Sequence, residues 1–433
     1  MAQLPSGNKR RHATFLASPA GGSPTQRAFC ALTQEAERRS SAVSKSCDRP
    51  ARTHRAGRLA AALLALPLSA TGLLVAAAPA HASPVAGPAV TVSMGDSYIS
   101  GEAGRWQGNS DSFSGSRDGT DRAYTGSGYD PTVVYGSTYS SGCDRSASAE
   151  VDSAFGTAQA INIACSGATT ADVFRAADGG QTFKGEAPQA DQLATIAAHH
   201  NVSLVTLSIG GNDLGFANVI SNCVQDYEVW YSYCQPSQQA AIDSAMGTAM
   251  ANVGKSIDEI RAAMSADGYA ASDYRIVLQS YPSPIPRSAE NRYPESGWSR
   301  TDNGGCPFWN ADSDWARDTL VPEISDHLAA VAAARGVQFL DLRDFLQGRE
   351  VCSTATRLAG STQAPSATTS EWARFLTTGA TQGTLQESFH PNYYAQLALG
   401  RCLALIQAQP TGNFACRNTA GQDASGVYLS GIS

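Results

Sequence analysis

The sequence predicts an α/β fold in which a mainly parallel, five-stranded sheet lies between two layers of helices. Five short runs are almost continuously apolar and rich in β-branched residues, as is typical of central strands covered on both faces. Amphipathic segments long enough for helices lie between and after these runs. This alternation is the pattern of a three-layer αβα sandwich. The chain has 433 residues, 42% of them apolar, so it can bury such a core.

The individual elements follow from the same patterns. The predicted strands cover residues 89–94, 160–165, 203–209, 275–281 and 337–342. The predicted helices cover residues 187–200, 238–266, 314–336 and 391–409. Residues 102–158 and 282–312 are rich in Gly, Ser, Asp and aromatic residues and lack periodicity, which indicates surface loops. In the Ser/Thr/Ala-rich stretch 353–382 we expect only a short helix around SEWARFL, residues 370–376.

The N-terminal region has the layout of an export signal. Residues 51–82 contain a cationic start, an apolar segment and a small-residue cleavage site that ends at Ala82. A membrane anchor is the alternative, but Pro67 and Pro79 interrupt the apolar run. Residues 1–50 are polar and basic, with no periodic apolar face. We expect them to be a disordered extension or the result of a start site assigned too early.

The predicted mature chain is acidic. Residues 1–82 hold 11 of the 31 Lys/Arg residues and 3 of the 38 Asp/Glu residues, which leaves 20 against 35 and a formal charge of −15. Such a surface repels the phosphate backbone of nucleic acids. The sequence also contains no basic stripe and no zinc-finger spacing, which are patterns typical of nucleic-acid binding. The composition therefore argues against nucleic-acid binding and against strong docking to anionic bilayers.

Eight of the ten cysteines lie in the predicted mature chain. An even number in an exported protein indicates disulfides, and the absence of any C-x-x-C argues against a zinc ribbon or a thioredoxin-type site. The sequence does not determine how eight cysteines pair. The simplest scheme joins neighbours in the chain, as Cys143–Cys165, Cys223–Cys234, Cys306–Cys352 and Cys402–Cys416.

Reactive and small residues follow the first three predicted strands. Ser97 lies in GDSY after the first strand, Gly167 lies in SGA after the second, and Asn212 lies in GGND after the third. His390 lies in ESFHPN, at the start of the last predicted helix. In an open parallel sheet, ligands bind outside the carboxyl ends of the strands, so these residues are candidates for one site.

These four motifs, in this order, resemble the SGNH/GDSL hydrolases, specifically the secreted bacterial esterases and lipases with a GDSY first block. The resemblance covers about residues 88–409 and implies a flavodoxin-like sandwich that needs no metal or cofactor. It implies that Ser97 is the nucleophile, that His390 is the base, and that the oxyanion hole consists of the Ser97 and Gly167 N–H groups with the Asn212 amide. It also implies one hydrolase domain over residues 83–433, with a short tail from about residue 411.

The residue chemistry supports the same roles. A serine hydroxyl is a poor nucleophile at neutral pH and needs a base to take its proton. Four histidines lie in the predicted mature chain, and three of them, His199, His200 and His327, are best interpreted as ordinary helix residues. His390 differs because Pro391 is suited to the first turn of a helix. We therefore expect His390 at a helix boundary, facing a cleft.

The sequence does not decide which group orients the His390 imidazole. Glu387 precedes His390 by three residues, where many relatives carry an aspartate. A Ser97–His390–Glu387 triad is one arrangement. The other is a Ser97–His390 dyad in which a main-chain carbonyl orients the imidazole, and this is the arrangement that we prefer.

The predicted function is hydrolysis of carboxylic esters, with lipid or fatty-acyl esters first, through an acyl-enzyme on Ser97. We expect a secreted monomer without a cofactor, a nucleic-acid partner or a stable membrane anchor. One alternative is a carbohydrate or polyketide-ester deacylase, or an acyltransferase, that uses the same site. An alternative of another class is a secreted binding protein that has lost activity. The loop between Cys223 and Cys234 is rich in aromatic residues. These residues either bind an acyl chain or a sugar ring of the substrate, or pack the loop against the protein.

Overall fold

The computed structural model describes residues 85–111, 117–377 and 382–432. The predicted extension over 1–50 and the predicted signal peptide over 51–82 lie outside these residues.

The described residues form a sheet of seven strands in the order β2-β1-β3-β4-β5-β6-β7. Neighbouring strands are parallel from β2 to β6, and β7 is antiparallel to β6. The strands are β1 Ala89–Gly95, β2 Ala160–Asn162, β3 Asn201–Ser208, β4 Arg275–Gln279, β5 Gln338–Asp341, β6 Asn413–Arg417 and β7 Tyr428–Ile432. The predicted α/β class with a mainly parallel sheet is confirmed, and the central strands β1 and β3 are buried along most of their length.

Ten α-helices accompany the sheet within the described residues. They are α1 Ser97–Ser100, α2 Thr132–Tyr135, α3 Thr138–Ser141, α4 Glu150–Phe155, α5 Gln189–Ala197, α6 Phe216–Gln225, α7 Gln235–Ala266, α8 Asn310–Trp315, α9 Val321–Arg335 and α10 Tyr393–Gln407. Helix α7 packs against α5 and α9, and α10 packs against α4. The predicted helix 314–336 is formed by the end of α8, a π turn at Ala316–Leu320 and α9, which ends at Gly336 with φ 60°.

The expected count of five strands is wrong, because the segment from residue 411 adds two strands at the sheet edge. Strand β6 pairs with β5, and a disulfide between Cys402 and Cys416 joins it to α10. The sequence NFACR of β6 is only partly apolar and only partly buried. A strand that is only partly covered, one place in from the sheet edge, lacks the continuous apolar run by which central strands are recognised.

The expected short helix around residues 370–376 is also wrong. This segment is extended, and it pairs with the chain that carries His390. The N–H of Arg374 donates to the His390 carbonyl at 2.9 Å, and the N–H of Phe389 donates to the Arg374 carbonyl at 2.7 Å. Trp372 and Phe375 are fully buried. Burial of these two large aromatic side chains and the pairing with the histidine segment outweigh the local preference for a helix.

All eight cysteines of the described chain are paired. The disulfides join neighbours in the sequence, as Cys143–Cys165, Cys223–Cys234, Cys306–Cys352 and Cys402–Cys416. Three of them, Cys143–Cys165, Cys223–Cys234 and Cys306–Cys352, tie loops or helix ends. They restrict segments that have little regular structure of their own.

Gly95 ends β1 at its closest approach to β3. Its φ is 130°, and a Cβ atom at this position would lie 1.9 Å from the carbonyl oxygen of Ser208. Because only glycine lacks that atom, the ends of the two strands come into direct contact here. The same carbonyl accepts the N–H of Asp96 at 3.0 Å, which starts the turn into α1.

We expect Gly95→Ala to lower the free energy of unfolding by about 3 kcal/mol or more, because the new methyl group would overlap the Ser208 carbonyl. Urea unfolding of the purified protein measures this difference. Gly126→Ala is the matched control, since Gly126 also has positive φ, 90°, but no atom lies within 4 Å of its added Cβ. We expect the control to lose only about 1–2 kcal/mol. Equal losses in both variants would contradict the steric explanation.

Candidate active site

Ser97 lies at the carboxyl edge of the sheet. It is the first residue of α1 and directly follows the turn at the end of β1. Asp96 caps this short helix, because its side chain accepts the N–H of Tyr98 at 3.1 Å. Ser97 is largely buried, so its hydroxyl lies in a partly water-excluded position.

His390 contacts the Ser97 hydroxyl directly. The distance between His390 Nε2 and Ser97 Oγ is 2.7 Å, and His390 Nδ1 lies 3.0 Å from the carbonyl oxygen of Ser388. A carbonyl oxygen can only accept, so Nδ1 carries the hydrogen and Nε2 presents its lone pair to the serine. The geometry is that of a hydroxyl whose proton can pass to a neutral imidazole.

The residues around His390 hold it outside the last helix. Helix α10 begins at Tyr393, and its cap is Asn392, so His390 is two residues before the cap rather than at the helix boundary that the sequence predicts. Phe389 has φ 61°, which is unusual for a non-glycine residue. Its carbonyl accepts the Tyr98 hydroxyl at 3.1 Å. The positive φ is a local strain that the surrounding contacts maintain.

Glu387 faces away from the imidazole. Its Oε1 accepts the Tyr135 hydroxyl at 2.7 Å, and its Oε2 accepts the N–H of Thr384 at 2.9 Å. Glu387 therefore caps the short 3₁₀ turn Leu385–Glu387. Of the two arrangements that the sequence leaves open, we propose the dyad, in which the Ser388 carbonyl orients His390.

Gly167 and Asn212 lie on loops that are joined to each other. Asn212 Nδ2 donates to the Ala168 carbonyl at 2.8 Å, and Asp213 accepts the N–H of Thr170 at 3.0 Å. Gly167 has φ 82° and is exposed. Within the described residues, the N–H groups of Ser97 and Gly167 donate to no protein acceptor. Both are therefore available as donors to a bound molecule.

Tyr281 is a residue of the site that the sequence interpretation missed. Its hydroxyl accepts the Gly211 N–H at 3.1 Å and donates to Asp96 Oδ2 at 2.5 Å. Burial raises the pKa of Asp96 to about 7, and the bond from Tyr281 opposes this shift. The phenol links the turn after β1 to the turn after β3. Its position just after β4, at the same sheet edge as the other motifs, is the signal that could have found it.

Residues 94–393 match the model of the GDSL-like lipase/acylhydrolase family. The chain belongs to this family. A curated relative, Lipase 1 of Streptomyces coelicolor (strain ATCC BAA-471 / A3(2) / M145), is 29% identical over 194 residues, which is 44% of this chain and 55% of the relative. The match thus spans about half the length of that relative.

Two solved structures are also similar to this GDSL-like chain. The extracellular lipase from Streptomyces rimosus is 21% identical with a TM-score of 0.40, and the match covers 74% of this chain and 100% of the other. Phospholipase A1 from Streptomyces albidoflavus NA297 is 21% identical with a TM-score of 0.41, and the match covers 73% and 98% of the two chains. The family membership predicted from the four motifs is confirmed by the family match.

Burial also changes the acidity of the histidine in this GDSL-like site. The pKa of His390 falls from its ordinary value to about 4, because burial disfavours the imidazolium, and the hydrogen bond to the Ser388 carbonyl opposes this effect. Above that pH the imidazole is neutral. His390 can therefore accept a proton over the whole neutral range and well into the acidic range.

We expect kcat/KM for a soluble ester to rise with pH through a midpoint near 4, because an imidazolium cannot take the proton of Ser97. The part of the rise that follows deprotonation of His390 should be complete at about pH 5.5, where a histidine of ordinary pKa is mostly protonated. Initial rates from about pH 3 to pH 8 measure this profile. A profile whose first rise has its midpoint at or above the ordinary histidine value would contradict the expected shift.

We expect Glu387→Gln to lower kcat by less than about tenfold, because Glu387 stabilises a turn and does not contact the imidazole. Removing the acid of a true triad costs about 10³-fold or more in kcat. Steady-state rates of the purified variant make the comparison. Tyr135→Phe, which removes one hydrogen bond to the same carboxylate, is the matched control. A 10³-fold loss confined to Glu387→Gln would restore the triad.

Proposed function

We propose that this protein is a secreted serine esterase that hydrolyses fatty-acyl esters through an acyl-enzyme on Ser97. The observation that carries the proposal is the 2.7 Å contact between His390 Nε2 and Ser97 Oγ, with Nδ1 held by the Ser388 carbonyl. His390 takes the serine proton as Oγ attacks the ester carbonyl, and then returns it to the leaving alcohol. Water, activated by the same imidazole, releases the acid.

The negative oxygen of the tetrahedral intermediate needs fixed donors. We assign this role to the N–H groups of Ser97 and Gly167 and to the side-chain amide of Asn212. The two N–H groups have no acceptor within the described chain, and the bond from Asn212 to Ala168 holds its amide on the loop of Gly167. Donors positioned before the reaction stabilise the developing charge more than water can.

An apolar cleft next to Ser97 and His390 supports a fatty-acyl substrate. The cleft has a cavity volume of about 90 Å³, and Tyr98 and Phe389, the chain neighbours of the two reactive residues, line it. Its walls also include Phe216, Val219, Ile285, Phe308, Trp315 and Ile324. A cleft with this lining suits a hydrocarbon chain better than a sugar, whose hydroxyl groups need polar partners.

The aromatic loop between Cys223 and Cys234 divides into two parts. Tyr227 is buried and packs against Trp309, with ring centroids 4.7 Å apart. Trp230 and Tyr231 are 68% and 67% exposed. Tyr227 therefore anchors the loop to the protein. Trp230 and Tyr231 present amphipathic rings to solvent, of the kind that contact lipid or detergent surfaces.

Four disulfides support an exported protein, since they persist in oxidising compartments. In the portion of the chain that the structure describes, no helix combines the length and the hydropathy needed to cross a bilayer.

A panel of p-nitrophenyl esters with Ser97→Ala tests the proposed activity. We expect the variant to lose about 10⁴-fold or more in kcat on every ester, because among the described residues no other hydroxyl is hydrogen-bonded to the imidazole. Ser93→Ala, at a buried serine of β1 outside the site, is the control and should keep wild-type rates. Hydrolysis by Ser97→Ala at the wild-type rate would refute the proposal. Activity confined to acetyl esters would favour the deacylase alternative.

We expect Val219→Trp to shift the chain-length preference, because an indole at position 219 fills the apolar cleft. The value of kcat/KM should fall about tenfold for dodecanoyl esters and change less than about twofold for acetyl esters. Val133→Trp, at a position that is 55% exposed and outside the cleft, is the matched control and should leave both values unchanged. Equal losses on short and long esters would show that the cleft does not hold the acyl chain.

A further inference from the structure

Glu102, the last residue of the GDSYISGE motif, lies beside the reactive pair. Its side chain is completely buried, and its Oε2 lies 3.8 Å from His390 Nε2, the nitrogen that faces Ser97. Glu387, the acid at the expected spacing before the histidine, is engaged with Tyr135 and Thr384 instead. The carboxyl group that approaches the imidazole therefore comes from the first motif.

A chain of hydrogen bonds orients Glu102. Gln386 Nε2 donates to Ser166 Oγ at 2.6 Å, and Ser166 Oγ in turn donates to Glu102 Oε2. A hydroxyl has one hydrogen, so Ser166 gives it to Glu102 while it accepts from Gln386. Two donors in series thus end on the oxygen nearest the imidazole, and each bond polarises the next. This arrangement suits an ionised acceptor.

The burial of Glu102 is unfavourable for the folded state. Its Oε1 is inaccessible and has no hydrogen-bond partner within the described residues. Desolvation raises its pKa well above the ordinary value, and Ser166 opposes this shift. The titratable groups around it are His390, Asp144, Glu387, Lys184, Tyr98 and Tyr135. A buried carboxyl group with an unpartnered oxygen needs an explanation beyond packing.

We propose that Glu102 is a positioning residue for the reaction, whose carboxylate stabilises the His390 imidazolium as Ser97 is deprotonated. The inference rests on the proposed Ser97–His390 mechanism. In the step concerned, the Oγ–H bond breaks, the Nε2–H bond forms and Oγ attacks the ester carbonyl; Glu102 forms no bond and takes no proton. The positive charge that appears on the imidazole is then 3.8 Å from a fixed negative charge.

The charge of Glu102 should make kcat depend on pH. Protonated Glu102 carries no charge and cannot stabilise the imidazolium. Because burial raises its pKa, the ionised form appears only at a pH well above that of an ordinary glutamate. We therefore expect kcat to rise twice with pH, first as His390 loses its proton near 4 and again as Glu102 ionises.

The test is Glu102→Gln, which keeps the size of the side chain and an oxygen that accepts from Ser166 while it removes the charge. We expect kcat to fall about 10- to 100-fold at the pH where the wild type is most active, with KM changed less than about twofold and the second rise of kcat with pH lost.

Glu350→Gln is the matched control. Glu350 is completely buried, burial raises its pKa to about 7, and it lies 3.9 Å from Arg317, away from the reactive pair.

A second variant, Glu102→Asp, separates charge from packing. Aspartate keeps the negative charge, but its side chain is one methylene shorter, so the charge lies further from His390. The second rise of kcat with pH should therefore remain, with a smaller amplitude. A kcat for Glu102→Gln within twofold of wild type from about pH 5 to pH 9 would overturn the proposal. A uniform loss with an unchanged profile, or identical profiles for Gln and Asp, would overturn it as well. Ser97→Ala reports separately on the proposed function, since an active Ser97→Ala variant would refute that function whatever Glu102 does.

Discussion

The contact between Gly95 and the carbonyl oxygen of Ser208 is the constraint on which the site depends. This oxygen accepts the N–H of Asp96 and leaves no room for a side chain on Gly95, so β1 must turn at that point. Because β1 and β3 are parallel, their carboxyl ends share one edge of the sheet. Ser97 and Asn212, which follow these two ends, reach the same edge for that reason.

Burial at this edge determines the acidities of the reactive groups. It raises the pKa of Asp96 to about 7, raises that of Glu102 well above its ordinary value and lowers that of His390 to about 4. The neutral form gains in each case because a charge loses its hydration. Charges at this edge therefore meet oriented donors and acceptors instead of bulk water.

Local patterns in the sequence were sufficient for the central strands, the main helices and the four motifs, because each of these has a local signature. They were not sufficient for β6 and β7, since strands at or next to the sheet edge are only partly covered and need no continuous apolar run. They also failed at residues 370–376. There the burial of Trp372 and Phe375, and the pairing of Arg374 with the histidine segment, override a helical pattern.

The sequence by itself determined the fold class and the family, because apolar runs and the motifs that follow them are visible in the order of the chain. Only the tertiary structure decided which carboxyl group meets the imidazole. Spacing along the chain favours Glu387, but Tyr135 and Thr384 bind it elsewhere, and Ser166 directs Glu102 to His390 instead. The direction of a side chain on a loop depends on partners that folding brings from distant parts of the chain.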